Sequence, residues 1–181
     1  MEKHHSCLNT KVIIEYFQDH HPELLTPLLQ NLHPEIDLLD HPREFLTDIN
    51  NWVSSEVVVR LFAKARRLTG DEEIAFKIGQ YAVTHQRFGY VQKIITRAFG
   101  TPQRALTRLQ AISDKFNRNK VLEVIFRGRC QALVRFKYFR HLPHSPDFCR
   151  FNKGILTAMQ GFWGLPSGRL IETHCFFQGD D

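Results

Sequence analysis

The sequence predicts an α+β fold, with a helical N-terminal half followed by a small antiparallel sheet packed on helices. Three observations carry this reading. Apolar residues recur at helical spacing over most of the first 116 positions. At Lys120 the apolar period changes to 2. A helical pattern and a further extended segment then follow the hairpin, which places helix and sheet in one core.

The elements can be justified in order. Asn9 or Thr10 can cap a helix over 11–21, and Pro22 suits the first helical position of "PELLTPLLQNL". Residues 33–53 carry Pro34, Pro42 and Asp/Asn clusters, which predicts short turns with one small helix around Phe45. In "SSEVVVRLFAKARRLTG", Ser54 or Ser55 caps a helix and Gly70 stops it. Its stripe is Val57, Val58, Leu61, Phe62, Ala65 and Leu68, with Arg60, Lys64 and Arg67 outside. Helical patterns follow over 71–84, 87–99 and 102–116. In the last, Ala105, Leu109, Ile112 and Phe116 face one way, and Gly100-Thr101-Pro102 supplies a stop, a cap and an N1 proline.

"KVLEVIFR" and "CQALVRFKYF" predict two strands of a hairpin around Gly128. Cys130, Ala132, Val134, Phe136 and Tyr138 share one face of the second strand, which predicts a buried Cys130 thiol. Pro143 and Pro146 break the chain before a helix over about 147–163, with Phe148, Phe151, Ile155, Met159 and Phe162 on one side. After Gly164, Pro166 and Gly168, "RLIETHCFF" predicts a last strand. No internal repeat or low-complexity linker is visible. The chain therefore divides into a mainly helical part (1–118) and a hairpin-helix-strand part (119–181) of a single domain.

Composition narrows the function classes. The 181 residues are 43% hydrophobic and include 15 Phe, enough for a sizeable core with a pocket in it. The formal charge of +5 comes from basic residues interspersed with acidic ones, so nucleic acid is not an expected partner. The basic face of 102–116, with Arg118 and Lys120, reads as solvated surface. No apolar run is long enough for a membrane span, and "MEKHHSCLNTK" has no apolar signal core, so a cytoplasmic protein without a membrane partner is expected.

The chemistry-bearing motifs are few. There is no GxGxxG after a strand, no Walker-type loop, no HExxH and no GxSxG, so a non-enzyme is expected. Most of the ten histidines sit beside prolines and read as turn residues. His4-His5-Ser6-Cys7 could chelate, but it lies at a terminus expected to fray. Cys149, Glu172 and Cys175 are residue types that a tetrahedral zinc accepts. In a straight strand Glu172 and Cys175 would point to opposite faces, so they converge only across a bend or bulge.

The segment 147–181, "DFCRFNKGILTAMQGFWGLPSGRLIETHCFFQGDD", resembles the end of the 4-vinyl-reductase-like sensory domain. That family is related to the N-terminal sensor domains of activators of aromatic-compound breakdown and is distantly similar to vesicle-tethering subunits. Its closing pattern is a Cys opening a helix, then Glu-x-x-Cys, a Gly-Asp or Gly-His turn, and a final Cys. Cys149, Glu172, Cys175 and Gly179-Asp180 match all of this pattern but its last member, and the final Cys would fall about two residues beyond Asp181. The resemblance covers roughly 116–181 well and 9–115 diffusely. It implies a structural zinc on Cys149, Glu172 and Cys175, with the fourth ligand outside a chain cut short at its C-terminal end.

The leading expectation is a ligand-binding regulatory domain of a bacterial signalling protein. It would bind a small hydrophobic or aromatic molecule, with a homodimer and an output domain in the full-length parent. Phe136, Tyr138, Phe151, Ile155, Met159, Phe162 and Trp163 are the candidate pocket residues, and plain core packing stays open for each. The alternative is a dimerising, tethering-like interaction module without a ligand. A reductase acting on a tetrapyrrole vinyl group ranks below both, because no nucleotide-binding loop is present to supply a reductant.

Overall fold

The computed structural model describes residues 2–178, and its architecture is α+β. The chain begins with a short strand, β1 (His5–Ser6), that runs directly into helix α1 (Cys7–His20). Ser6 caps this helix, its Oγ accepting from the Leu8 N–H at 3.2 Å. The helix thus starts earlier than the Asn9/Thr10 cap expected from sequence, and both of those residues lie inside it, buried. Thr10 Oγ1 donates inward to the Leu46 carbonyl instead of capping. The expected frayed terminus is corrected too: His5, Ser6 and Cys7 are all buried.

The reason is a second short strand, β2 (Trp52–Val53), antiparallel to β1 with His5 opposite Val53. On its other side the terminus meets residues 116–118. Ser6 N–H donates to Phe116 O at 2.9 Å, and Arg118 N–H donates to His4 O at 2.7 Å. Between the two small strands the chain forms a 3₁₀ turn (Pro22–Leu24) and helices α2 (Leu25–Leu29), α3 (Pro34–Asp37) and α4 (Pro42–Thr47), the last around Phe45.

Helix α5 (Ser55–Thr69) has Ser54 as its cap and Gly70 as a left-handed stop. Its stripe of Val57, Val58, Leu61, Phe62 and Ala65 is buried. Helix α6 (Ile74–Thr84) follows a turn in which Asp71 accepts from the Glu73 N–H at 2.9 Å. Helix α7 (Tyr90–Phe99) ends at Gly100.

The continuous helix expected over 102–116 is broken. Helix α8 (Pro102–Leu106) and helix α9 (Leu109–Ser113) are separate, and Phe116 lies beyond both. At the break the backbone tightens, the Thr107 and Arg108 N–H groups donating to the carbonyls of Arg104 and Ala105 three residues back, at 3.2 and 3.0 Å.

Strands β3 (Lys120–Arg127) and β4 (Ala132–Tyr138) form the expected antiparallel hairpin, pairing Lys120 with Tyr138 and Leu122 with Phe136. The connection reaches to Gln131, whose carbonyl accepts from the Gly128 N–H at 2.8 Å. Cys130 therefore lies in the loop and is exposed, not buried on a strand face. The near half of the hairpin packs on the protein, while Ile125, Phe126 and Leu133 in the far half are exposed.

Helix α10 (Pro146–Ala158) opens on a Ser145 cap and passes into a 3₁₀ turn (Met159–Trp163), where one continuous helix was expected. The last segment is not a strand. It is irregular from Leu165 to Cys175, with Leu165, Leu170 and Ile171 exposed, and closes in a 3₁₀ turn (Phe176–Gln178). Among the described residues it pairs with neither edge of the two-stranded β3–β4 sheet. Among the described residues, no helix is long and apolar enough to cross a membrane.

The core lies where α1, α5, α6 and α10 meet, with Phe17, Ile13, Phe62 and Ile78 fully buried. The tightest approach is between Gly79 of α6 and Gly154 of α10. A Cβ built at Gly79 would overlap the Phe151 carbonyl oxygen and lie 3.1 Å from Gly154 Cα. One at Gly154 would overlap the Phe76 carbonyl oxygen and lie 2.9 Å from the Gln80 nitrogen. Both obstacles are backbone, so neither can swing aside. An alanine in a helix ordinarily gains about 1 kcal/mol over glycine, but here the helices would have to separate and lose packing along their length. Gly79→Ala and Gly154→Ala are each expected to destabilise the protein by about 2–3 kcal/mol in urea unfolding. Gly161→Ala, where nothing lies within 4 Å of the added carbon, should be near neutral. Equal effects at all three positions would show that the crossing is not the tight point.

Candidate ligand-binding site

Held by that crossing, α10 presents Phe148, Phe151 and Ile155 to a cavity of about 150 Å³, and the turn after it adds Met159 and Phe162. These residues share a side because they recur at three- and four-residue spacing. Opposite them stand Leu122 and Phe136, the cross-strand pair of the hairpin. The break between α8 and α9 brings Ala105, Leu109 and Ile112 to a third wall. Val58 and Phe62 of α5 reach it from the core.

Five of the seven residues proposed from sequence thus meet at one cavity: Phe136, Phe151, Ile155, Met159 and Phe162. Tyr138 and Trp163 are not in its lining. Tyr138 is buried beside it, its hydroxyl accepting from Asn152 Nδ2 at 3.0 Å, and burial holds its phenol well above the ordinary range. Trp163 is half-buried next to Phe162, and its buried Nε1 has no hydrogen-bond partner among the described residues.

The cavity also has polar groups that sequence reasoning missed. His5 and Asn9 arrive with the woven N-terminus, and Lys120 arrives with β3. Asn9 is tied down, its Nδ2 donating to Phe116 O and to Asn117 Oδ1, both at 3.2 Å. Lys120 was read as part of a solvated basic face; instead it is 5% exposed. The signal was present in the strand, because Lys120 is in phase with Leu122 and Val124.

Lys120 makes no ion pair or hydrogen bond through its side chain among the described residues. Its ammonium lies 5.8 Å from the centre of the Tyr138 ring. A cation–π contact contributes about 2 kcal/mol at best, whereas burying an unpaired ion costs several. Burial accordingly lowers the Lys120 pKa to about 8. The nearby Cys149 thiol supplies no counter-charge at neutral pH, because burial pushes it up to about 11.

His5 packs at a 40° tilt against Phe148, ring centres 5.2 Å apart, and has Ser55 Oγ 3.2 Å from its Nε2. A serine beside a histidine invites comparison with a nucleophile and its base. Two facts remove that reading. Ser55 is fully buried and outside the cavity lining. Burial, then the Lys120 charge, lower the His5 pKa to about 3, so it is a poor base at neutral pH.

Cys149 stands beside Tyr138, with Glu172 and Cys175 within electrostatic reach of it. The charges of Cys175 and Glu172 both act to raise the Cys149 pKa, and Cys149 Sγ is 3.9 Å from the Tyr138 hydroxyl. Glu172, however, is engaged with Lys153 at 2.5 Å. Among the described residues no group of three or more His, Cys, Asp or Glu is arranged to hold a metal ion. A metal here would have to displace Lys153 from Glu172. Gly179 and Asp180 lie outside the described residues.

No protein-family model matches this chain, and searches of curated proteins and of solved structures likewise find no match.

The buried imidazole has a consequence for stability. The folded-state pKa of His5 is below its ordinary value of 6.5, so as pH falls below that value the unfolded chain takes up the proton first. Stability from this group is complete above pH 6.5 and is lost as pH falls towards about 3, by at most ~1.4 kcal/mol per pH unit. Urea unfolding between pH 7 and about pH 5, above the range where carboxylates titrate, should show this loss. His5→Gln, which can keep a hydrogen bond to Ser55, should flatten it. An unchanged slope in the variant would assign the loss to another group.

Proposed function

We propose that this chain is a small-molecule-binding regulatory domain whose cavity takes a hydrophobic or aromatic ligand. The observation that supports this most directly is the cavity itself, about 150 Å³ and walled by Phe, Leu and Ile side chains from the hairpin and four helices. Apolar space of this size, about 150 Å³, is enough to admit a benzene-sized ring. Filling it restores dispersion contacts that the lining side chains lack when it is empty.

A signalling role is supported by where the walls come from. The hairpin and α10 both wall the cavity, and the hairpin's far half is exposed with Ile125, Phe126 and Leu133 on it. A ligand that favours one spacing of these walls would bias the hairpin, and an attached output module or a second copy of the chain would read that bias. Binding without catalysis is favoured because the histidine at the cavity is locked neutral against Ser55.

The test is calorimetric titration with toluene, together with its effect on the melting temperature. Toluene is expected to bind and raise the melting temperature of the wild-type chain. Leu109→Trp, which pushes an indole into the space, should melt no lower than wild type yet lose the toluene effect. No toluene binding to wild type would sink the reading.

Zinc on Cys149, Glu172 and Cys175 is part of the same proposal, supported by the residue types and by Glu172 and Cys175 both acting electrostatically on Cys149; binding would draw together three side chains that are not arranged around a metal position. Such an ion would be structural, pinning the start of α10 to the chain's last segment. Equilibrium dialysis against Zn²⁺ should show one site that is lost in Cys149→Ser and is matched by a higher melting temperature. Retention of the site in the variant would remove Cys149 from it.

A further inference from the structure

We propose that the ligand of the cavity is a carboxylate: a compact apolar or aromatic acid whose ring fills the chamber and whose carboxylate pairs with Lys120. This rests on the reading of the cavity as a ligand site and specifies what that site recognises.

The apolar walls would accept many small hydrophobic molecules, but Lys120 would not be neutral to the choice. It belongs to the lining, is 95% removed from solvent, and has no anionic partner among the described residues. Among those residues no Asp or Glu lines the cavity. The other polar members of the lining are uncharged: His5, Asn9, Ser113, Asn117 and Asn152. A buried cation thus stands at the cavity with neither a negative charge nor a hydrogen-bond acceptor for its ammonium among the described residues.

Position β3 residue 120 could carry an apolar side chain without loss of the pleat, since Leu122 and Val124 follow in the same phase. An apolar residue there would make the empty protein more stable. A buried polar group that costs stability is the pattern expected where binding depends on it. The chamber's volume then limits the body of the acid to about one ring. The same charge disfavours organic cations of equal size, so it acts on specificity as well as on affinity.

The experiment compares benzoate, benzamide and toluene by titration calorimetry on the wild-type chain and on Lys120→Met, with Lys120→Gln as a second variant. Benzoate and benzamide have nearly the same shape and differ in charge. Wild type is expected to bind benzoate at least tenfold more tightly than benzamide. Lys120→Met should unfold at a higher urea concentration than wild type, bind benzoate at least tenfold more weakly, and bind toluene within twofold of wild type. If benzoate and benzamide bind alike, or if both variants keep wild-type affinity for benzoate, Lys120 is not an acid anchor, although toluene binding would leave the cavity reading standing. If none of the three binds, the cavity reading itself fails and this inference falls with it.

Discussion

Everything that gives this molecule a cavity depends on two helices touching through glycine. Where α6 crosses α10, Gly79 and Gly154 leave no room for a β-carbon on either side, and backbone meets backbone. Helices with ordinary side chains at the contact stand about 8–10 Å apart; without them the axes come closer. Close docking at one point fixes the tilt and rotation of α10, and rotation decides which of its residues face inward. Phe148, Phe151 and Ile155 then form a wall, while Cys149 and Lys153 turn towards the last segment of the chain. A glycine contact deep in the core thus sets the geometry of both the apolar chamber and the thiol–carboxylate cluster.

The second constraint is the seat of the N-terminal segment. His4, His5 and Ser6 are hydrogen-bonded on one side to residues around Val53 and on the other to Phe116 and Arg118. This strand carries His5 and Asn9 to the edge of the chamber, while β3, starting just after residue 118, carries Lys120. The polar end of the cavity is therefore assembled from segments more than a hundred positions apart in the sequence. The apolar end is assembled largely from α10 and the broken helix before the hairpin.

That division explains what could be read from the sequence and what could not. Helix α5 was legible in full, because Ser54, the apolar stripe and Gly70 are all local signals. The hairpin and the inward face of α10 were legible for the same reason, and with them most of the chamber's aromatic wall. Two-residue strands such as β1 and β2 cannot display a period, so the burial of His5 was invisible. The break at Thr107 is a local tightening of the backbone to bonds three residues back, which apolar spacing does not register. The segment after Gly164 alternates like a strand, yet a strand needs a neighbour, and among the described residues this segment docks on neither edge of the hairpin. Lys120 was misread for a different reason. Its charge argued for solvent, its strand phase argued for the interior, and the fold followed the phase.

The woven terminus also sets an order of events during synthesis. His4 to Ser6 take partners near residue 53 and again near residue 117, and so are made well before either partner. A nascent chain can form α1 and α5 early, but the seam along Ser6 cannot close until residues 116–118 have emerged. Until then the backbone groups of His4 and Ser6 that face that seam remain open to other partners. Contacts of such long sequence separation slow folding, and in this protein they are the same contacts that complete the polar end of the chamber. A half-made chain can therefore possess a helical core while still lacking a finished chamber.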